Sequence, residues 1–116
     1  MNKQVKDIAV DGAIPVRTEA DIVANVERLK KKHGLKEVFV IQADDLICYL
    51  KRPSRNQMKY AMSVSQNDPL GMTEKILEAG WLEGDEELRT EDKYFYDISR
   101  QIDSLIETAT VDIKKY

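Results

Sequence analysis

Hydrophobic positions in this chain repeat at helical spacing over residues 18–34, give way to short β-rich runs over 37–51, and return to helical spacing after a proline at position 53. In the first stretch Ile22, Val26 and Leu29 fall on one face, and Thr18 with Asp21 has the spacing of a capping box. Lys30, Lys31, Lys32 and His33 suit the negative pole of that helix, Gly34 supplies a left-handed residue, and Leu35 is placed to fold back on Leu29. The next two runs, Glu37-Val38-Phe39-Val40-Ile41-Gln42 and Leu46-Ile47-Cys48-Tyr49-Leu50-Lys51, flank Ala43-Asp44-Asp45 and predict a hairpin. Apolar residues fall on both faces of each arm. The hairpin is therefore expected to be covered on both sides, by helices or by another subunit.

Pro53 cannot donate to a sheet ladder and biases Arg52 away from helix, while Ser54 with Gln57 three residues on fits a second capping box. A short helix is expected there, with Met58, Ala61, Met62 and Ser65 on one face. Asp68-Pro69 opens another, with Leu70, Leu77 and Trp81 on one stripe, Ile76 beside it, and Gly80 and Gly84 closing the unit. Thr90 then caps a final helix in which Phe95, Ile98, Ile102, Leu105 and Ala109 follow a 3-4-3-4 repeat, about 30 Å for roughly twenty residues. That stripe suits either the core or a seam with a partner helix, and the reading adopted is partial core packing with the C-terminal end available. Ahead of the first helix, Asp11-Gly12 between short apolar runs marks residues 1–17 as a hairpin or an extended arm. The expected fold is α+β: one domain over 1–116, with a central β-hairpin or small antiparallel sheet packed by three to four α-helices and a long C-terminal helix.

Composition adds limits. A hydrophobic fraction of 42% suffices for one core without disulfide or metal staples, and the single cysteine, Cys48, sits among apolar residues as a small buried thiol would. The N-terminus has no long apolar h-region, and no run approaches the roughly 18 apolar residues of a membrane span, so a cytoplasmic protein without an anchor is expected. The net charge of −3 conceals a division: residues 28–60 carry nine basic against three acidic side chains, net +6, and residues 61–99 carry three against ten, net −7. Such asymmetry can orient a charged partner or a second copy, although charged helix exteriors alone also produce it.

No residue pattern in the chain signals catalysis. His33 ends a lysine run at a helix terminus, with no second histidine or nearby activated nucleophile, and reads as a dipole-complementing surface residue. Asp44 and Asp45 read as turn formers, since no third oxygen ligand follows at calcium-loop spacing. The five glycines match no phosphate-binding fingerprint, and the acidic group Glu83, Asp85, Glu86, Glu87, Glu91 and Asp92 reads as a solvated loop and helix start. Neither a metal nor a cofactor is expected. Met58, Met62 and Met72 read as core at helical spacing, with an adaptable binding surface as the alternative. Nucleic acid is a competing partner, because Lys30, Lys31, Lys32, Lys36, Lys51, Arg52, Arg55 and Lys59 are basic and Tyr49 and Tyr60 are available to stack. Against it stand the acidic overall charge and the lack of a recognised reading motif. A structural or oligomerisation module is the third alternative.

The order of a β-hairpin, then Leu50-Lys51-Arg52-Pro53-Ser54-Arg55, a short helix, Ile76-Leu77-Glu78-Ala79-Gly80-Trp81-Leu82-Glu83-Gly84-Asp85 and a closing helix resembles the small tail assembly chaperones of tailed bacteriophages and prophages. The likeness covers residues 36–110. It rests on the strand that runs into Arg52, Pro53 and Ser54 and on the helix that ends in the glycine-bearing acidic loop at 80–85. The resemblance implies a non-enzymatic protein of the bacterial host cytoplasm that binds a long, helical tape-measure protein before the tail tube closes around it. It also implies contact with tail-tube subunits, self-association, and a longer frameshifted form, on which one chain bears no mark. The work of such a protein is to cover apolar helical stripes reversibly. On that basis the partner-contact candidates are Lys51, Arg52 and Arg55 at the basic junction, Met58 and Met62 on the middle helix, and Ile102 and Leu105 on the last.

Overall fold

The structure is a computed structural model, which describes residues 18–106 and 113–116. Helix α1 (Glu19–His33) leads into a hairpin of β1 (Phe39–Ala43) and β2 (Leu46–Leu50); α2 (Arg55–Val64) and α3 (Pro69–Gly80) follow, then β3 (Trp81–Gly84), the single turn α4 (Glu87–Thr90), α5 (Asp92–Gln101) and a 3-10 helix at Ile102–Ile106. The strands form one antiparallel sheet in the order β1-β2-β3, with Ile41 opposite Cys48 and Cys48 opposite Gly84. The architecture is α+β, as the patterning predicts. The possible hairpin at 1–17 lies outside the described residues, as does Ala109.

Local signals act where the sequence places them. Thr18 and Ser54 each accept from the backbone of the third helical residue, and Asp21 and Gln57 reach back to the cap N–H, so both capping boxes are complete. Gly34 is left-handed at φ 67°, and the N–H groups of Gly34 and Leu35 both donate to the Lys30 carbonyl, which closes α1. Asp68 accepts from the Gly71 N–H at 3.0 Å, with Pro69 at the first helical position of α3. His33 is exposed at the end of α1.

The sheet is covered on both faces, because the alternation of β2 sends its side chains two ways. Leu46, Cys48 and Leu50 join Ile76, Leu77, Leu88, Ile98 and Leu105 beneath α3, α4 and α5. Ile47 and Tyr49 point to the opposite face, where Ile22 and Leu29 of α1 pack with Val38, Val40 and Leu82. Each fully buried aliphatic side chain in these clusters stabilises the fold by about 1.5–3 kcal/mol relative to exposure. Asn25 and Tyr49 introduce polarity on the α1 side: Asn25 Nδ2 donates to the Tyr49 hydroxyl at 3.2 Å, and Arg28 Nη2 reaches both Asn25 Oδ1 and the Glu83 carboxylate on β3. Two other Arg28 donors, Nε and Nη1, are enclosed without an acceptor.

Three expectations are corrected. The residues after α3 form a third strand: Trp81 starts β3 instead of continuing the helical stripe, because Gly80 lies against β2 and its carbonyl accepts from the Lys51 N–H at 2.8 Å. The long C-terminal helix expected after Thr90 is instead α5 and a 3-10 turn, with the single turn α4 ahead of them. Thr90 ends α4, extended backbone at Glu91 (φ −94°, ψ 127°) resets the chain before α5, and the helix tightens at Ile102–Ile106, where Arg52 Nη1 donates to the Leu105 carbonyl at 3.2 Å. The count of three to four helices accordingly rises to five α-helices among the described residues. The third correction concerns Met62, expected in the core, which is 56% exposed, with Leu70 at 43%. Ala61 and Ser65 fill the buried side of α2 and leave Met62 at its margin.

Candidate functional site

The basic junction is built on the β2–α2 connection and is largely engaged in holding the fold. Arg52 Nε donates to Glu37 at 2.9 Å, its second nitrogen reaches the Leu105 carbonyl, and its guanidinium lies 5.2 Å from the Phe39 ring centroid. One side chain thus ties β1 to the 3-10 turn. Lys51 Nζ donates to Gln57 Oε1 at 3.3 Å, and Pro53 is buried. Arg55 alone of the junction cations named in the sequence is exposed at the start of α2. Lys30, counted with the same basic surface, pairs with Glu27 at 3.6 Å. These engagements reduce what the cations offer to a polyanion.

The apolar candidates divide in two. Leu105 is buried and Ile102 is partly buried, both against the main core, so the stripe from Phe95 to Leu105 supports the sheet. Met58 is also partly buried there, as is Met72. Met62 is different. It lies with Lys59, Met72 and the Ser65-Gln66-Asn67 turn around a shallow depression at the α2–α3 corner. Tyr60 at 59% exposure and Val64 at 50%, one turn apart, form a separate apolar strip on the other flank of α2, since positions two apart from Met62 do not share its face. Their only signal in the sequence is that both are large apolar residues off the buried face of α2.

A second concave feature has no counterpart in the sequence reading. A groove of about 650 Å³ runs between β1 and α5. Its apolar wall includes Phe39, Ile41, Ile98 and Ile102, and its rim carries Lys93, Asp97 and Arg100. At one end the Tyr94 hydroxyl donates to Asp44 at 2.6 Å, joining the hairpin turn to α5. The aspartate acceptor raises the Tyr94 pKa, and contact with Tyr94 raises that of Lys93. Asp44 is left-handed at φ 56°, a geometry that aspartate tolerates in turns.

Chemistry elsewhere is quiet. Burial pushes the Cys48 thiol up to about 12, far from the depressed values of reactive cysteines. Among the described residues no group of three His, Cys, Asp or Glu side chains is placed to hold a metal ion, and no helix is long and apolar enough to cross a membrane. In the acidic group at 83–92, Glu83 faces Arg28, Asp85 accepts from the Ile47 N–H at 2.9 Å, and Glu86 pairs with Arg89 at 2.8 Å. Those carboxylates brace the strand and the α4 turn. Arg89 in turn stacks 4.1 Å from the Trp81 ring centroid. No protein-family model, curated protein or solved structure matches this chain.

Proposed function

We propose that this protein is a non-enzymatic assembly chaperone of the phage-tail type, acting in the cytoplasm of a bacterial host and covering the apolar face of a helical, tape-measure-like client. The observation that supports this reading is the number of large apolar side chains exposed on both flanks of α2 and at the start of α3. Tyr60, Met62, Val64 and Leu70 are all more than two-fifths exposed on a chain in which 34% of residues are charged. Methionine and tyrosine adapt to varied apolar shapes, and an amphipathic helix laid against such a surface is a recurring recognition mode. Lys59 lines the depression beside Met62, so an acidic flank on the client would orient the approach. Tail-tube subunits are the second proposed partner, through the same family likeness.

The test is co-expression of the protein with a long amphipathic helical segment from a tape-measure protein. The wild-type chain should keep the segment soluble and co-purify with it, and Met62→Glu should abolish this while leaving the fold intact. Retention of the client by the folded Met62→Glu and Tyr60→Glu variants would exclude this surface. Salt-sensitive retention of the wild-type protein on DNA or RNA, with no client bound, would replace the chaperone reading with the nucleic-acid one.

A further inference from the structure

We propose that the groove between β1 and α5 is a strand-acceptor site, which takes an extended peptide segment of a partner protein as a fourth strand on the edge of β1 that no strand among the described residues covers. This surface lies apart from the apolar patch on α2 and calls for a partner in a different conformation.

The sheet order leaves β1 at an edge, with none of its five residues fully buried while four of the five in β2 are. A two-residue turn between the paired Ala43 and Leu46 sets the ladder, so Phe39, Ile41 and Ala43 exchange hydrogen bonds with β2. The same alternation aims the N–H and C=O groups of Val40 and Gln42 away from the sheet. All five consecutive residues of β1 line the groove, although neighbours along a strand point to opposite faces. That is the signature of a cleft running along the strand's edge, where the main chain itself is accessible.

The two edges of the sheet are not treated alike. Strand β3 is four residues long, its pairing with β2 is irregular at Tyr49 and Leu50, and it carries Glu83 and a glycine at φ 143°. These are devices that discourage further pairing. Strand β1 has no charge, proline or bulge.

The chemistry of the occupant follows from the walls. Side chains of an added strand that face α5 would enter the apolar space lined by Phe39, Ile41, Ile98 and Ile102. Every second residue should therefore be a β-branched or other apolar one. Lys93 is exposed on the rim, and Arg100, though it donates to Asp97, is 78% exposed and has further donors. A carboxylate flanking the apolar residues complements that rim. The main chain supplies attraction and the alternate side chains supply selection, as in other strand additions.

The probe is an N-acetylated, C-amidated peptide of sequence Glu-Val-Thr-Val-Thr-Val-Glu, titrated into the full isotope-labelled chain and followed by amide chemical shifts. Saturable shifts should appear in β1 and along α5. The same peptide N-methylated on the residues whose N–H groups meet Val40 and Gln42 should bind at least about tenfold more weakly. Val40→Pro removes an outward N–H from the edge and should have a similar effect. Joint reversal of Lys93 and Arg100 to Glu should weaken the peptide and favour its lysine-ended analogue, which keeps the test decisive if the proline variant does not fold. Equal binding by the N-methylated peptide, absence of saturable shifts at millimolar concentration, or shifts confined to α2 and α3 would overturn the proposal. So would a dimer of the free protein that Val40→Pro dissociates, since a second copy would then own the edge.

Discussion

A β-carbon placed on Gly84 would overlap the backbone of Cys48 across the β2–β3 ladder and stand 2.6 Å from the Ile47 carbonyl oxygen. With φ at 143°, Gly84 also has a backbone conformation that other residues rarely adopt. Gly84→Ala should therefore destabilise the protein by about 2–4 kcal/mol, through steric displacement of β3 and backbone strain together. Denaturant midpoints for the two proteins check this, and a change under 1 kcal/mol would show that β3 relaxes away without penalty.

The Arg28–Glu83 pair should respond asymmetrically to truncation. Arg28 already encloses two donors without acceptors, so Glu83→Ala adds to an existing deficit and should cost about 1–3 kcal/mol. Arg28→Met removes the enclosed cation along with its unmet donors, and Glu83, with 23% of its side chain exposed, can turn to solvent. It should cost less. Equilibrium unfolding of both variants and of the double mutant measures the order, and a larger loss from Arg28→Met would reverse the argument.

Ser54→Ala removes the side-chain acceptor for the Gln57 N–H and should lower stability by about 0.5–2 kcal/mol. Urea melts with an unchanged midpoint and slope would dismiss the cap as a contributor.

Stability should also fall in alkali. Burial raises the Cys48 pKa to about 12 and raises that of Tyr49 above its ordinary value near 10. Because both folded-state values lie above the unfolded ones, their contribution is complete below about pH 9 and is lost as the pH climbs through the folded values. Each group gives a slope of up to about 1.4 kcal/mol per pH unit within its window. Unfolding free energies measured between pH 8 and 11 should decline, and Cys48→Ala should flatten the part that begins near pH 9. An identical slope in that variant would remove the thiol from the account.

Leu105 and Met62 should part company in the same assay. Leu105→Ala should cost about 2–5 kcal/mol as a core truncation, whereas Met62→Glu should change stability by no more than about 0.5 kcal/mol. A large loss from Met62→Glu would mean that the side chain is packed in solution.

What the sequence disclosed depended on the range of the interaction. Thr18, Ser54, Asp68 and Gly34 act within a few residues, and each works in the structure where its spacing places it. The hairpin was equally legible, because two continuous runs of β-branched and aromatic residues flank the Ala43-Asp44-Asp45 turn. Strand β3 was hidden by its brevity: Trp-Leu-Glu-Gly has too few residues to display a period, and its strand character comes from β2 beside it. The apparent long helix arose because Phe95, Ile98, Ile102 and Leu105 all meet the core, although the chain tightens from α-helix to 3-10 turn at Ile102. Of the candidate surfaces, Met62 was named from the sequence for its softness, but its exposure depends on how α2 lies against α3. The β1 groove was invisible, since strand order and the placement of α5 are long-range outcomes.

The two-sided covering of the sheet has a consequence for how the chain must be made. Helix α1 precedes the hairpin, so most of one face can be covered as soon as residue 50 is available, with Leu82 added later. The other face, with Leu46, Cys48 and Leu50, waits for Ile76, Leu88, Ile98 and finally Leu105, more than fifty residues later. During synthesis from the N-terminus the nascent protein presents an apolar strand surface with an open edge, a state that favours pairing with other chains. Premature termination anywhere between β2 and the 3-10 turn would fix that state permanently, yielding fragments prone to aggregation instead of smaller working versions of the protein.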